Sequence, residues 1–67
     1  MLKGTVKWFN VKKGYGFIQA PNTPKDIFVH VTSIQQSGLR KLVDGQEVYF
    51  DIFDDRGRPA ANHISLI

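Results

Sequence analysis

Groups suited to acid–base or metal chemistry are few and scattered in this chain of 67 residues. There is no cysteine, and the two histidines, His30 and His63, are too few ligands for a zinc site. Asp54 and Asp55 form a carboxylate pair, but the stretch from Asp54 to Gly57 has the composition of a turn. Catalysis would also need a pocket, which so short a chain can hardly supply. We therefore expect no enzymatic activity, no catalytic residue, no metal site and no cofactor.

Aromatic and basic residues are concentrated together in the first half of the chain. Residues 1 to 30 contain five lysines and one acidic residue, Asp26, in a chain of net charge +3. The same half contains five of the eight aromatic residues, namely Trp8, Phe9, Tyr15, Phe17 and Phe28. Exposed rings stack on unpaired bases, and nearby ammonium groups attract the phosphates of the same strand. The pattern therefore favours a single-stranded nucleic acid as the partner.

Short segments rich in β-branched and aromatic residues, separated by turn signals, predict five strands. The predicted strands are Leu2 to Asn10, Tyr15 to Ala20, Ile27 to Val31, Glu47 to Phe53 and Ala60 to Leu66. The predicted turns are Lys12 to Gly14, Pro21 to Lys25, Ser37 to Gly45 and Asp54 to Gly57. One helical turn is expected at Ser33 to Gln36, capped by Ser33. This even spacing indicates an all-β barrel or sandwich.

Alternation along the strands predicts which side chains form the core, because successive residues point to opposite faces. The apolar set expected inside is Ile18, Ile27, Val29, Val31, Val48, Phe50 and Ile52. The opposite face then carries Tyr15, Phe17, Phe28 and His30 on two adjacent strands. Exposed aromatic side chains in such number indicate a binding surface. A second, smaller apolar patch is expected at Tyr49 and Phe53.

The first strand does not follow this alternation, because Trp8 and Phe9 are consecutive. Two neighbouring residues cannot both point outward from a regular strand. Either Phe9 packs at the edge of the barrel, or a β-bulge reorients one of the two rings. We expect Trp8 to be exposed and Phe9 to be at least partly exposed.

Three segments, Lys7 to Asn10, Lys13 to Ile18 and Asp26 to His30, resemble the signature of bacterial cold-shock proteins. Gly45-Gln46 and Pro59 to Ala61 fit the later part of that pattern. The resemblance covers essentially the whole chain and implies one cold-shock domain over residues 1 to 67. It also implies a five-stranded antiparallel OB-fold barrel that binds single-stranded RNA and DNA, with two RNP-like segments on neighbouring strands.

The resemblance also implies roles for individual residues. The residues matched as base-stacking groups are Trp8, Tyr15, Phe17, Phe28 and His30, and Phe9 matches with a partly structural role. Lys7 and Lys13 match as phosphate partners, and Asn10 as a polar contact or turn former. Arg56 is a candidate through its charge alone. Val31 and Leu39 stand where the family usually has aromatic residues, so we expect weaker binding than in a fully aromatic relative.

The function expected from the residues and the resemblance is that of an RNA chaperone with effects on transcription antitermination and translation. The alternative is a small β-barrel adaptor that binds protein, and the salt dependence of binding distinguishes the two. The chain shows no secretion signal and no run of about 20 apolar residues, so we expect it in the cytoplasm. We expect a monomer, with a strand-exchanged dimer as the alternative.

Overall fold

A computed structural model describes residues 2–21 and 23–67. It contains the strands β1 (Leu2–Asn10), β2 (Tyr15–Gln19), β3 (Ile27–His30), β4 (Glu47–Asp55) and β5 (Arg58–Leu66), and the helix α1 (Val31–Gln36). The five predicted strands are confirmed, with shifts of up to two residues at some ends. Of the predicted turn at Pro21 to Lys25, Asn22 lies outside the described residues.

The strands form a closed barrel in the order β1-β2-β3-β5-β4, as expected for an OB-fold. All neighbouring strands are antiparallel except β3 and β5, which run parallel to each other. The interior is apolar and consists of Val6, Ile18, Ala20, Ile27, Val29, Ile34, Leu42, Val48, Phe50, Ala61 and Ile64. Closure pairs each of the five strands with two neighbours, so the inner faces of the strands form one core.

The core prediction is correct for five of its members and wrong for two. Ile18, Ile27, Val29, Val48 and Phe50 are all fully buried. Ile52 is 40% exposed. The pairing of β4 with β1 ends at Phe50, and because β4 continues beyond this point, the opposite strands no longer cover Ile52. Val31 is half-buried and begins α1 instead of ending a strand. Tyr49 and Phe53 point outward and are exposed as predicted.

The helix begins two residues before the predicted helical turn, and its N-cap is His30 instead of Ser33. The Nδ1 atom of His30 accepts a hydrogen bond from the backbone N–H of Thr32, at 3.2 Å. Only Ile34 of this helix is buried, and it anchors α1 on the barrel. Within the described part of the chain, no helix is long and apolar enough to cross a membrane.

The turn predicted at Asp54 to Gly57 is shorter in the structure. β4 and β5 remain paired as far as Asp55 and Arg58, so that Arg56 and Gly57 alone connect them. Both connecting residues have positive φ angles, 55° and 88°, as two-residue hairpins of type I′ require. This tight turn places the two arginines that flank Gly57 at the end of the β4–β5 hairpin.

Candidate nucleic-acid interface

A β-bulge in β1 determines where its aromatic side chains point. Val6 pairs with Ile18 and Trp8 pairs with Phe17, so that Lys7 is an extra residue on β1. Without this bulge, Trp8 would share the inward face of Val6, because residues two apart point to the same side. The bulge reverses the alternation and brings Trp8 to the outer surface and Phe9 to the inner one. This is the second of the two arrangements expected for the consecutive rings.

The outward residues of β1, β2 and β3 are aligned in two cross-strand rows. In the first row, Trp8 pairs with Phe17, and Phe17 pairs with Phe28. The second row consists, from β1 to β3, of Asn10, Tyr15 and His30. Directly paired residues are within contact distance on one face of a sheet. The predicted aromatic surface is therefore confirmed as a continuous patch on three adjacent strands.

The rings of this patch contact one another closely. The centroid of Trp8 lies 5.4 Å from that of Phe17 and 5.7 Å from that of Tyr15, in edge-to-face geometry. Tyr15 and Phe28 stack at 5.8 Å, and His30 lies 6.2 Å from Phe28. Trp8, Tyr15, Phe17 and Phe28 are consequently half-buried, although they were expected to be exposed, whereas His30 is exposed as expected. Contacts among the rings hold them in place before any ligand arrives, which reduces the entropy lost on binding.

Phe9, Val31 and Leu39 occupy structural positions around the patch. Phe9 pairs with Gly16 on the inner face and, like Leu39, packs against the core. The backbone N–H of Val31 donates a hydrogen bond to the carbonyl of Gly14, at 2.9 Å. Val31 thus lies beside the turn that leads into β2, close to the second aromatic row.

Asn10 and Lys13 belong to the turn between β1 and β2. The side-chain oxygen of Asn10 accepts a hydrogen bond from the backbone N–H of Lys13, at 3.0 Å. Of its two expected roles, Asn10 therefore performs the turn-forming one in this structure. The Lys13 side chain is at the rim of the aromatic patch, exposed to solvent.

Lys7 is also exposed, but it already has a partner. Its Nζ atom is 2.9 Å from a carboxylate oxygen of Asp26, the residue before β3. Half of the Lys7 side chain and a third of the Asp26 side chain are exposed, so solvent screens the pair strongly. A phosphate can therefore replace the carboxylate at little cost in free energy.

Arg58 belongs to this surface, although only Arg56 of the two neighbouring arginines was expected among the site residues. Its guanidinium carbon lies 4.0 Å from the centroid of the Phe28 ring, within the distance of a cation–π contact. The contact arises because Phe28 on β3 pairs with Ala60 on β5. No pattern along the chain reveals that β5 is the neighbour of β3. Arg56, the arginine expected at the site, lies two residues away in the adjacent turn.

Comparisons with known proteins agree with this geometry. The profile of the "'Cold-shock' DNA-binding domain" family matches residues 2–67. The chain is 48% identical to the cold shock-like protein CspC of Shigella flexneri over 66 residues, which are 98% of this chain and 96% of the relative. It is 46% identical to a cold shock-like protein of Aquifex aeolicus over 65 residues, 97% of this chain and 93% of the relative. The chain therefore belongs to the cold-shock domain family of nucleic-acid-binding proteins.

Proposed function

We propose that this protein binds single-stranded RNA and DNA with little sequence preference and acts as an RNA chaperone. One observation carries the proposal. The outward rings of β1, β2 and β3 form a continuous half-exposed patch with lysines at its rim. The proposed contact residues are the twelve expected from the sequence, of which the rings contribute most of the affinity.

The patch suits unpaired strands for a physical reason. Every base has a π face, and stacking on an aromatic side chain contributes roughly 1–3 kcal/mol per base with little dependence on base identity. In a double helix the same faces are covered by neighbouring base pairs, so a flat aromatic surface has nothing to stack on. The lysines attract the backbone of any strand, which again requires no particular sequence.

A chaperone of this kind needs no chemical step. Ligands that bind only the unpaired state shift a hairpin equilibrium toward that state by mass action. Several individually weak contacts allow fast release, so that a transcript is held open only briefly. In the cytoplasm, this action on nascent or translated RNA accounts for the proposed effects on transcription antitermination and on translation. The protein is proposed to act as a monomer.

The proposal is tested by titrating the protein with a pyrimidine oligonucleotide while recording the fluorescence of Trp8. We expect quenching with the single strand and little change with the matching duplex. Phe17→Ala should weaken binding about five- to a hundredfold, as loss of one stacking ring predicts. Tyr49→Ala removes an exposed ring from another part of the barrel and should leave the affinity unchanged. Equal losses in both variants would contradict the proposed site.

The chaperone activity requires a second measurement, on an RNA hairpin labelled with a fluorophore and a quencher. We expect the melting temperature of the hairpin to fall progressively as the protein concentration rises above the Kd, and Phe17→Ala to lose most of this effect. A protein that binds single strands yet leaves the hairpin melting temperature unchanged would be a storage or adaptor protein instead.

A further inference from the structure

The first aromatic row continues beyond Phe28. β3 pairs with β5 at Phe28 and Ala60, and β5 pairs with β4 at Ala60 and Phe53. Because directly paired residues point to the same side of a sheet, Phe53 lies on the outer face with Phe28. Two strand spacings separate these rings, a distance of about 10 Å. The whole row crosses five strands and consists of Trp8, Phe17, Phe28, Ala60 and Phe53.

Ala60 lies between Phe28 and Phe53 in this row. It is absent from the interior cluster, which contains its neighbour Ala61, and yet it is only 2% exposed. A small outward side chain can be hidden to this extent only if larger neighbours on the same face cover it. Ala60 therefore leaves no gap in the outer surface between Phe28 and Phe53.

The environment of Phe53 is compatible with a polyanionic strand. The outward acidic neighbours of Phe53 on β4 are Asp51 and Asp55, and both already lie near basic groups. Asp55 is 3.7 Å from the guanidinium of Arg58, and Asp51 is 3.3 Å from Nδ1 of His63. Arg58 itself points outward from β5 and contacts Phe28, so a cation lies between Phe28 and Phe53.

We propose that Phe53, together with Arg58, forms an additional base-stacking position. The nucleotide held there comes directly after the nucleotide that stacks on Phe28, in the same single strand. The extension rests on the proposed function, since it needs a strand already bound to the aromatic patch. The Phe53 ring, 39% exposed, offers the stacking face. The Arg58 guanidinium, 57% of whose side chain is exposed, pairs with the phosphate between the two stacked bases.

The test compares two pyrimidine oligonucleotides, of about four and about ten nucleotides, within the range of site sizes of OB-fold proteins. The short strand fills only the patch on β1 to β3, whereas the long strand reaches β4. Phe53→Ala should bind the short strand like the wild type and the long strand about fivefold more weakly. Tyr49→Ala is the matched control, because Tyr49 is an equally exposed ring on the same strand, at 40%, but lies beside Lys3 of β1.

A second variant, Phe53→Leu, separates stacking from simple apolar contact. It keeps an apolar side chain at the same position and should show the same loss as Phe53→Ala on the long strand, with an unchanged thermal unfolding midpoint. Wild-type affinity of either variant for the long strand would overturn the proposal. So would a change in the sedimentation of the free protein without a change in affinity, because Phe53 would then be a contact between copies. Failure of the wild type to bind even the short strand would refute the proposed function as well.

Discussion

At the scale of single residues, the ion pair between Lys7 and Asp26 would compete with a phosphate for the Lys7 ammonium group. The Asp26 carboxylate pairs with the Lys7 ammonium group, which a phosphate would otherwise contact. It also adds a negative charge at the edge of the aromatic patch. Exposed pairs of this kind contribute about 0–1 kcal/mol to stability. Loss of this pair should therefore change the stability of the fold by no more than about 1 kcal/mol.

Asp26→Asn should raise the affinity for a pyrimidine oligonucleotide by up to about fivefold at low salt, because Lys7 becomes available to a phosphate. The matched control is Glu47→Gln, which releases Lys3 from a similar ion pair at 3.1 Å on another part of the barrel. Both variants change the net charge equally. Fluorescence titration that gives the same gain in both would show an effect of total charge instead of a specific release of Lys7.

Val31 and Leu39 lead to a second prediction at this scale. Val31 lies beside the turn into β2, where a larger ring would meet the second aromatic row. Val31→Phe should tighten oligonucleotide binding about fivefold, as one added stacking contact of about 1 kcal/mol predicts. Leu39→Phe should act in the same direction, with a smaller gain because Leu39 also packs against the core.

Val31→Leu serves as the control, since it adds apolar volume without a π face and should leave the affinity nearly unchanged. The comparison uses the same fluorescence titration for all the variants. Unchanged affinity in both phenylalanine variants would show that the missing rings do not limit binding.

At the scale of the elements, the contact between β1 and β2 explains why Gly16 stands among the aromatic residues. A Cβ atom added to Gly16 would lie 2.7 Å from the Cα atom of Phe9 and would clash with the carbonyl oxygen of Trp8. Glycine allows the two strands to approach at the bulge that turns Trp8 outward. The shape of the aromatic patch thus depends on a residue that has no side chain.

Gly16→Ala should therefore reduce the free energy of unfolding by about 1–3 kcal/mol, the usual effect of overpacking a core. Urea unfolding measures this loss, and the affinity for an oligonucleotide should fall as well because Trp8 is displaced. Gly38→Ala is the control: nothing lies within 4 Å of the added atom, although the φ angle of 81° brings a backbone strain of about 1–2 kcal/mol. Normal binding by Gly16→Ala would show that the close approach does not orient Trp8.

At the scale of the whole molecule, closure of the barrel brings side chains from both halves of the chain onto one surface. The rings come from β1, β2 and β3, while Arg58 and Phe53 come from the second half. The patch therefore combines stacking with several cations that come from different strands. Such a combination predicts a strong dependence of binding on salt.

The logarithm of the binding constant should fall with the logarithm of salt concentration with a slope of about −2. Each neutralised phosphate of a single strand contributes about −0.7 to the slope, and Lys7, Lys13 and one arginine are the expected partners. Titrations over a tenfold range of salt measure the slope directly. A slope near zero would instead favour a protein-binding adaptor, whose contacts with the rings release no counterions.

Much of the interface can be predicted from the sequence because strand alternation is a local property. The period of two placed Ile18, Ile27 and Val29 inside the barrel, and it placed Phe17 and Phe28 outside. The spacing of the turns predicted five strands for the same reason, since turn-forming residues act over only a few positions. These features need no knowledge of which strands are neighbours.

Other features were decided only by the tertiary structure. The bulge at Lys7, the parallel pairing that brings Arg58 over Phe28, and the exposure of Ile52 each depend on segments far apart in the chain. A local pattern contains no information about which strand lies beside which, or where one strand ends against another. The sequence by itself therefore determined which side chains of β2 and β3 face outward, whereas barrel closure decided that Arg58 joins them and how they are arranged into one surface, because pairing between distant strands is not a local property.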